Sequence, residues 1–323
     1  MDKYVVTHPW EISLGNKSFC NLCTTDLNKF NGDYEGLKRA IYVISRANYR
    51  QTCVNLDDGI LQRTWHELNE HLRLTGVSLT GFVCWEYQND GPKLQVLADT
   101  AEEAVHSMAD ELGLPRSKAT QTEKPEGTAS KILDTTEGAH KPLGRYIFNK
   151  INFSEHDKLV PMLAEAGYEV MTNPYDPTGR LVTFPVAFDN VEFTKVELPD
   201  GRVVEVNTET AVDQLNRYKH IMDNYVRKHN ASITVSYSPD EVPSIIEWIY
   251  ENWDSYVGVS FLYRSDPTKT AEDLGYPYLP QQVVTKEEYD EYCSRLSPIE
   301  LDKANSMFEI TSDECASGAC PVR

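Results

Sequence analysis

The sequence predicts an α/β protein with a parallel sheet or an α/β barrel. Segments with helical periodicity alternate repeatedly with short apolar, β-branched segments along most of the chain. The chain has 323 residues, of which 40% are hydrophobic, and this is enough to bury a large core. In folds of this kind, working residues lie on loops at the carboxyl ends of the strands.

The first half of the chain supplies four predicted helices and four predicted strands. Helices are predicted at 33–53, with apolar residues at helical spacing, at 58–74, at 100–114 with a Thr/Glu capping start, and at 154–170. The predicted strands are 77–85, a segment within 117–131 that ends in a turn, 144–153, and one that follows the last helix. Cys84 falls in the apolar strand 77–85 and is expected to pack as a small hydrophobe.

The second half continues the alternation. A hairpin is predicted around Asp200-Gly201, followed by a long helix at 208–229 and a strand at 231–237. A helix at 238–253 and a buried strand at 256–263 come next. The periodicity fades after about residue 264, and the end from Thr311 is expected to be a mobile tail.

Charge and composition exclude several functional classes. The net charge is −19, with 50 acidic and 31 basic residues, which argues against a nucleic-acid surface. No apolar run is long enough for a membrane helix, and the first residues lack the pattern of a signal peptide, so we expect a cytoplasmic protein without membrane contact. Seven cysteines in such a chain argue against a disulfide framework.

Glu11, Cys20 and Cys23 form the first candidate site. A carboxylate near a thiol can act as a general base in radical or nucleophilic chemistry, although the pairing is common in proteins. Cys20 and Cys23 also form a C-x-x-C pair, which with Cys315 and Cys320 offers four thiolates for zinc. Cys315 and Cys320 have four residues between them and no rigid knuckle, which weakens the zinc interpretation, and we predict no metal site.

The second candidate is the segment KPEGTASK at 124–131. Its small or hydroxylated residues, Gly127, Thr128, Ala129 and Ser130, lie at a strand-to-helix turn where backbone N–H groups can point at an anion. His140, Lys141 and Arg145 follow, which makes this the most basic neighbourhood of an acidic chain. An ordinary glycine turn with solvated lysines is the alternative.

The third candidate is the tail CASGACPVR. Cys315 and Cys320 lie on Ala, Ser and Gly, which have little to bury. A flexible dithiol can enter a pocket, exchange with a disulfide and leave again to be reduced. A disordered terminus with incidental cysteines is the alternative.

Seven segments spread over nearly the whole chain form a joint pattern. They are EISLGNKSFCNL, GVSLTGF, PEGTASK, GAHKPLGRYIFNKINF, AVDQLNRYKHIMDNYV, ITVSYSPDEVPSIIEWIYENWDSYVGVSFLYRSDPTKTAEDLGYPYLP and CASGACPVR. In this order they resemble the carboxyl-terminal half of the adenosylcobalamin-dependent (class II) ribonucleotide reductases, in the branch of monomeric ribonucleoside-triphosphate reductases.

The resemblance implies a role for each candidate. It implies the carboxyl-terminal part of a ten-stranded α/β barrel, with Glu11 as the general base and Cys20 as a reductant that becomes half of a disulfide. Residues 127–130 then hold the phosphates of a ribonucleoside triphosphate. Cys315 and Cys320 match the flexible pair that re-reduces the disulfide and is renewed by thioredoxin. The implied cofactor is adenosylcobalamin in its base-on form, because the chain has no D-x-H-x-x-G signature.

The chain departs from the family pattern at three points. The family carries N-P-C-x-E at the finger loop, whereas Pro9 stands at the place of the radical cysteine and Thr7 at that of the asparagine. The family's amino-terminal half, with the second active-site cysteine, has no counterpart here. Glu126 stands where the family usually has Ser or Thr, which places an acid beside the phosphates.

We therefore expect the carboxyl-terminal component of a split or interrupted reductase gene, inactive until an amino-terminal half joins it. Residues 1–9 are expected to lie outside the family pattern, 10–310 to form part of the barrel domain, and 311–323 to form the redox-active tail. The alternative is a catalytically inactive remnant or nucleotide-binding subunit that lacks the radical cysteine.

Overall fold

The computed structural model of the chain describes residues 5–6, 11–57 and 59–299. In chain order, its α-helices are α1 (Tyr34–Gln51), α2 (Arg63–Leu72), α3 (Gly91–Leu112), α4 (Ala129–Leu133), α5 (Leu159–Glu165), α6 (Ala211–Asn224), α7 (Val242–Glu251) and α8 (Lys286–Ser294). Its strands are β1 (Val5–Val6), β2 (Ser13–Leu14), β3 (Asn21–Asp26), β4 (Thr75–Thr80), β5 (Gln121–Glu123), β6 (Tyr146–Ser154), β7 (Val170–Asn173), β8 (Asp176–Ala187), β9 (Thr194–Glu197), β10 (Val203–Val206), β11 (Lys228–Ala231), β12 (Thr234–Tyr237), β13 (Ser260–Tyr263) and β14 (Gln281–Val283).

The chain divides into two compact units. The first contains the described residues up to 142, together with 188–192 and 207–265. The second contains 143–187, 193–206 and the described residues from 266 onward. Except for Arg145, the candidate site residues that the structure describes lie in the first unit.

The first unit is built on a parallel sheet with the strand order β11-β5-β4-β3. β3 and β4 pair in register over six residues, from Asn21 opposite Thr75 to Asp26 opposite Thr80. Helices α1 and α2 connect β3 to β4, and α3 connects β4 to β5, because parallel neighbours need such crossovers. The predicted α/β class is confirmed.

The core of the first unit lies between this sheet and its helices. Every residue of β4 is buried, and α1 buries Leu37 and Ile41 at the helical spacing that predicted it. Trp85, 1% exposed, and Tyr218, fully buried, belong to the same cluster. This apolar cluster fixes the sheet on which the candidate site is built.

Helix α3 begins nine residues before the predicted start at Thr100. Its N-cap is Asp90, whose side chain accepts a hydrogen bond from the Lys93 N–H at 3.0 Å. Thr100 lies inside the helix, where its hydroxyl bonds to the Val96 carbonyl at 2.7 Å. The Thr/Glu pair at Thr100 therefore lies inside α3 and does not mark its start.

The predicted strand 77–85 is also corrected. β4 ends at Thr80, because Gly81 adopts φ 67° and turns the chain into a short 3-10 helix, Phe82–Cys84. Cys84 is buried as expected, with its Sγ 3.6 Å from the Thr136 hydroxyl, but it lies in this turn and not in a strand.

The predicted helix 208–229 ends early, at Asn224. Lys228 adopts φ 65°, and the chain then enters β11, where His229, Asn230 and Ala231 are buried beside β5. Burial in the sheet outweighs helical propensity here, since β11 completes the core and propensity is a weak local preference.

The strand predicted as buried at 256–263 is exposed. It forms β13, which pairs in parallel with β12, and its side chains Phe261, Leu262 and Tyr263 are 36%, 62% and 66% exposed. Apolar composition predicts a buried strand, but none of the described elements covers this face.

The second unit is antiparallel, unlike the sheet predicted from the alternation of helices and strands. Its sheet has the order β14-β6-β8-β7, with β6 and β8 paired over nine positions. β9 and β10 form the predicted hairpin, with Gly201 at φ 84° in its turn. The connections β7–β8 and β9–β10 have hairpin length, which parallel pairing does not allow, whereas α5 and β7 lie between the antiparallel neighbours β6 and β8.

Several expectations lie outside the described residues. The boundaries at 9/10 and 310/311, the tail cysteines Cys315 and Cys320, and the departures at Thr7 and Pro9 all belong to this group. Among the helices that are described, none has the length and apolar character needed to cross a membrane. The cytoplasmic location stays a prediction.

Gly81 and Gly113 offer a matched test of the turn after β4. Both have positive φ, but a Cβ on Gly81 would lie 2.4 Å from Asp26 Oδ1 and 2.5 Å from Thr135 Oγ1, whereas a Cβ on Gly113 would meet nothing within 4 Å. Gly113→Ala should lower the free energy of unfolding by about 1 kcal/mol through backbone strain alone. Gly81→Ala should lower it by roughly 2–4 kcal/mol. Urea unfolding followed by tryptophan fluorescence measures both, and equal losses would contradict the described packing around Gly81.

Candidate functional site

Glu11 and Cys20 meet at the amino end of the parallel sheet. Cys20 immediately precedes β3, and Glu11 is 4% exposed. The Glu11 carbonyl accepts hydrogen bonds from the Asn230 N–H and the Thr122 hydroxyl, each at 2.9 Å. The charge of Glu11 contributes to the raised pKa of the Cys20 thiol, which shows that the two side chains are neighbours. The structure thus brings together two residues that are nine positions apart in the sequence.

His229 is the third member of this site, and the sequence interpretation missed it. Its Nε2 lies 3.8 Å from Cys20 Sγ and 3.0 Å from the Thr75 carbonyl oxygen. The ring is 5% exposed, and burial lowers the pKa of His229 to about 4. The ring is therefore neutral at physiological pH.

The Cys20 thiol is protonated at neutral pH. Its pKa lies well above the ordinary value, chiefly because burial disfavours the thiolate, and the nearby Cys23 and Glu11 add to this effect. Burial likewise raises the pKa of Cys23 to about 12. Neither cysteine is therefore a ready nucleophile at neutral pH. Each thiol is suited to donate a hydrogen atom, or to react once a second molecule has brought a reaction partner to the site.

Residues 125–130 form the predicted turn at the carboxyl end of β5. Glu126 adopts φ 56°, and Thr128 is the N-cap residue of the short helix α4. Gly127 and Thr128 are exposed, and no described residue accepts a hydrogen bond from the N–H groups of Gly127, Thr128 or Ala129. Backbone donors without a described acceptor are what an anion-binding turn requires. Ser130, by contrast, is buried, and its N–H bonds to the Glu126 carbonyl.

The predicted basic neighbourhood is largely neutralised. Lys124 Nζ lies 3.2 Å from Glu126 Oε2, and Lys131 forms an ion pair with Glu137. Burial lowers the pKa of His140, whose Nε2 accepts a hydrogen bond from the Thr234 N–H. The turn consequently offers backbone donors to an anion, and its lysines are already paired.

Arg145 belongs to the second unit, where it forms an ion pair with Glu205 at 2.6 Å. The sequence interpretation counted it with the basic residues around the turn, and the structure assigns it a local partner instead.

Cys20 and the turn at 125–130 lie at opposite ends of the sheet. Cys20 precedes β3, whereas the turn follows β5, and the strands are parallel. A six-residue strand is about 20 Å long. Cys23 lies between them, and Lys124 and Glu126 both influence its pKa. A ligand that uses both features has to extend along the sheet.

Glu123 is a second residue that the sequence interpretation did not single out. It is fully buried at the end of β5, and its Oε2 accepts a hydrogen bond from the Leu79 N–H at 3.3 Å. Burial, reinforced by Glu126, raises the pKa of this carboxyl well above its usual range, which favours the protonated form. No sequence motif surrounds Glu123, so only the fold reveals it.

The zinc interpretation gains no support from the described residues. Within 11–57 and 59–299, no group of three or more His, Cys, Asp or Glu side chains is arranged to hold a metal ion. Cys53 is exposed and Cys293 is partly buried, and both are free.

Relatives of the chain carry one consistent name. A protein of Lactobacillus gasseri named adenosylcobalamin-dependent ribonucleoside-triphosphate reductase is 23% identical over 352 aligned positions, which cover 97% of this chain and 44% of the relative. A protein of Dictyostelium discoideum whose name gives the same activity is 29% identical over 217 residues, which cover 65% of this chain and 26% of the relative. No protein-family model matches the chain.

A crystal structure of the B12-dependent (class II) ribonucleotide reductase has a similar fold. It superposes with a TM-score of 0.74 at 20% identity, covering 93% of this chain and 43% of that structure. The resemblance predicted from the sequence is thereby confirmed. By sequence and by fold, this chain is a relative of the adenosylcobalamin-dependent (class II) ribonucleotide reductases, and it spans less than half the length of the relatives it matches.

Proposed function

We propose that the chain is the carboxyl-terminal component of an adenosylcobalamin-dependent ribonucleoside-triphosphate reductase. One observation carries this proposal: the buried Glu11 and the partly buried Cys20, to which the resemblance assigns the base and the reductant, meet in one site. The chain spans less than half the length of its relatives, so the proposal includes a second polypeptide that supplies the amino-terminal half.

The roles follow from the chemistry of each group. Glu11 accepts a proton from a substrate hydroxyl. Cys20 and a cysteine of the other half together supply two electrons and two protons. The ribose 2′-hydroxyl leaves as water, and the two cysteines become a disulfide. The raised pKa of Cys20 supports this role, because a protonated thiol is the form that can give up hydrogen.

Renewal of the site requires a second dithiol. Cys315 and Cys320 exchange with the disulfide, which returns Cys20 to the thiol form while the tail pair becomes a disulfide. Thioredoxin then reduces the tail. The composition between the two tail cysteines supports this step, because Ala, Ser and Gly have little to bury and the exchange requires a segment that reaches both the site and an external reductant.

The turn at 127–130 is proposed to hold the phosphates of the ribonucleoside triphosphate. The N–H groups of Gly127, Thr128 and Ala129, for which no described residue is an acceptor, support this role. The phosphates then lie at the carboxyl end of the sheet, and the sugar points along β3 towards Cys20. The Lys124–Glu126 ion pair opposes phosphate binding, since Glu126 competes for the nearest cation.

Adenosylcobalamin is the cofactor in the relatives' names, and it would supply the radical that starts the reaction. Neither His140 nor His229 is available as a protein ligand to cobalt. Both nitrogens of His140 face backbone groups, and His229 Nε2 is committed to the Thr75 carbonyl. This supports the base-on form, in which the cofactor's own base stays on cobalt.

The surface of the first unit supports the need for a partner. In the described sheet, β3 is an edge strand that pairs only with β4. Helix α7 and the turn after it expose an apolar stripe in which Ile246, Tyr250 and Trp253 are 50%, 81% and 66% exposed. Open strand edges and apolar stripes of this size commonly mark interfaces.

A catalytically inactive remnant or nucleotide-binding subunit is the second candidate. Pro9 favours it, because a chain without a thiol at that place cannot form the thiyl radical by itself. The phosphate turn would still bind nucleotide in such a protein. Catalysis after reconstitution separates the two candidates.

Reconstitution tests the leading proposal. The chain is mixed with a reductase fragment that carries the amino-terminal half and ends in the radical cysteine, together with adenosylcobalamin, thioredoxin and a ribonucleoside triphosphate. Deoxynucleotide should form, Cys20→Ser should reduce the rate at least a thousandfold, and Cys53→Ser, at an exposed cysteine, should leave it unchanged. No product with any such fragment would favour the remnant.

Glu126→Ser should strengthen nucleotide binding. The substitution removes an acid from the turn and releases Lys124 to the phosphates, so the Kd for a ribonucleoside triphosphate should fall about fivefold to tenfold. Isothermal titration calorimetry measures this on the isolated chain. Glu67→Ser is the matched control, because it releases Arg63 on the exposed helix α2 and should leave the Kd unchanged. Equal Kd values for the native chain, Glu126→Ser and Glu67→Ser would show that the turn is not part of the nucleotide-binding site.

Tyr250→Glu should weaken assembly with the amino-terminal half by at least tenfold, because it places a charge in the centre of the apolar stripe. Tyr175→Glu is the control, since Tyr175 is 66% exposed and lies in the second unit. Sedimentation of each variant with the partner fragment measures the Kd. Undiminished binding of Tyr250→Glu would show that the stripe is not the interface.

A further inference from the structure

A β-bulge in β11 contacts both predicted catalytic residues. The pairing of β11 with β5 shifts between Lys228 and Ala231, and Lys228 has φ 65°. The two residues within the shift are His229, beside Cys20 Sγ, and Asn230, whose N–H bonds to the Glu11 carbonyl. Bulges re-aim side chains and occur frequently next to active sites. This bulge directs one side chain at the thiol and one N–H at the segment that carries the carboxylate.

The contacts of His229 fix its tautomer. A carbonyl oxygen only accepts hydrogen bonds, so the 3.0 Å contact with the Thr75 carbonyl places the proton on Nε2. Nδ1 is buried, and no described residue offers it a partner, so a proton there would be a buried donor without an acceptor. The neutral Nε2–H form is the one that satisfies these contacts.

The contacts of Cys20 complement this arrangement. Cys20 Sγ lies 3.7 Å from the Asn21 carbonyl oxygen, which can accept the thiol hydrogen. The sulfur lone pairs are then available to the His229 N–H at 3.8 Å. The same N–H can turn from the Thr75 carbonyl to the sulfur when the thiol loses its proton. The nearby Cys23 and Glu11 raise the pKa of Cys20 and so oppose loss of the thiol proton.

We propose that His229 is a positioning residue that holds Cys20 and donates its Nε2–H to the Cys20 thiolate. The inference rests on the proposed role of Cys20 as a redox cysteine. When a tail thiolate attacks the partner sulfur of the Cys20 disulfide, a new S–S bond forms and Cys20 leaves with the electron pair of the old one. His229 stabilises this leaving thiolate as a hydrogen-bond donor, and it does not act as a base because its proton is already on Nε2.

His229→Gln and His229→Met form a matched pair for the test. The two replacements have similar length and volume, but only Gln carries an N–H donor. The rate of Cys20 alkylation by iodoacetamide between pH 7 and 10 reports the thiolate population, and it is followed by tandem mass spectrometry of digests of the labelled chain. His229→Met should react about fivefold to tenfold more slowly than the native chain at each pH below the thiol pKa, and His229→Gln should recover most of the rate.

Two controls are read in the same experiment. Cys23 alkylation in each digest reports local opening, and it should be equal in the two variants. His140→Phe removes another buried histidine of the first unit and should leave Cys20 alkylation unchanged. Equal Cys20 rates for His229→Gln and His229→Met overturn the inference, and so does a faster rate for His229→Met while Cys23 is unchanged.

The assay needs no turnover, so its outcome is independent of the reconstitution experiment. If the Gln and Met variants differ but reconstitution yields no deoxynucleotide, the thiolate contact stands and the reductase role fails. If reconstitution succeeds and the two variants agree, the reductase role stands and His229 has no part in it.

Discussion

The hydrogen bonds of the buried residue Asn230 hold together four separate segments of the first unit. Its side chain accepts from the Tyr218 hydroxyl at 2.8 Å and donates to the Gly258 carbonyl at 2.9 Å. Its backbone N–H donates to Glu11, and its carbonyl accepts from Thr122 at 2.8 Å. Each of these groups would cost about 1–3 kcal/mol if left buried without a partner. The position of the segment at Glu11 relative to the sheet therefore depends on a residue more than two hundred positions away.

The sequence predicts those helices and turns that depend mainly on residues close together in the chain. Leu37 and Ile41 repeat at helical spacing and are buried in α1, and Asp200-Gly201 forms the hairpin turn that such a pair favours. β11 has no such signal, because its four residues become a strand only through burial against β5. The exposure of β13 was also unpredictable, since composition reports what a strand can bury and not whether another element covers it.

The candidate site shows the same division. Glu11, Cys20 and the turn at 127–130 were found because they belong to a spaced pattern that resembles a known family. His229 and Glu123 have no motif, and their properties arise from neighbours distant in the sequence: Cys20 and Thr75 for one, Leu79 and Glu126 for the other. The charge around the turn was misjudged for a similar reason, because Glu137 neutralises a lysine six positions before it. Sequence order shows which charges exist, and only the fold shows which are paired.

The burial of Cys20 and Cys23 has a consequence for the resistance of the protein to oxidative damage. Peroxide converts thiolates, far more readily than thiols, to sulfenic acid and then to irreversible sulfinic and sulfonic acids. Both cysteines are partly buried and remain thiols at neutral pH, whereas Cys53 is exposed to solvent. Adventitious oxidants should therefore modify Cys53 first. Cys53 is exposed and lies outside the candidate site, so its oxidation leaves Cys20 intact. In the proposed redox role of Cys20, the protonated state would preserve the thiol for repeated cycles of oxidation and reduction.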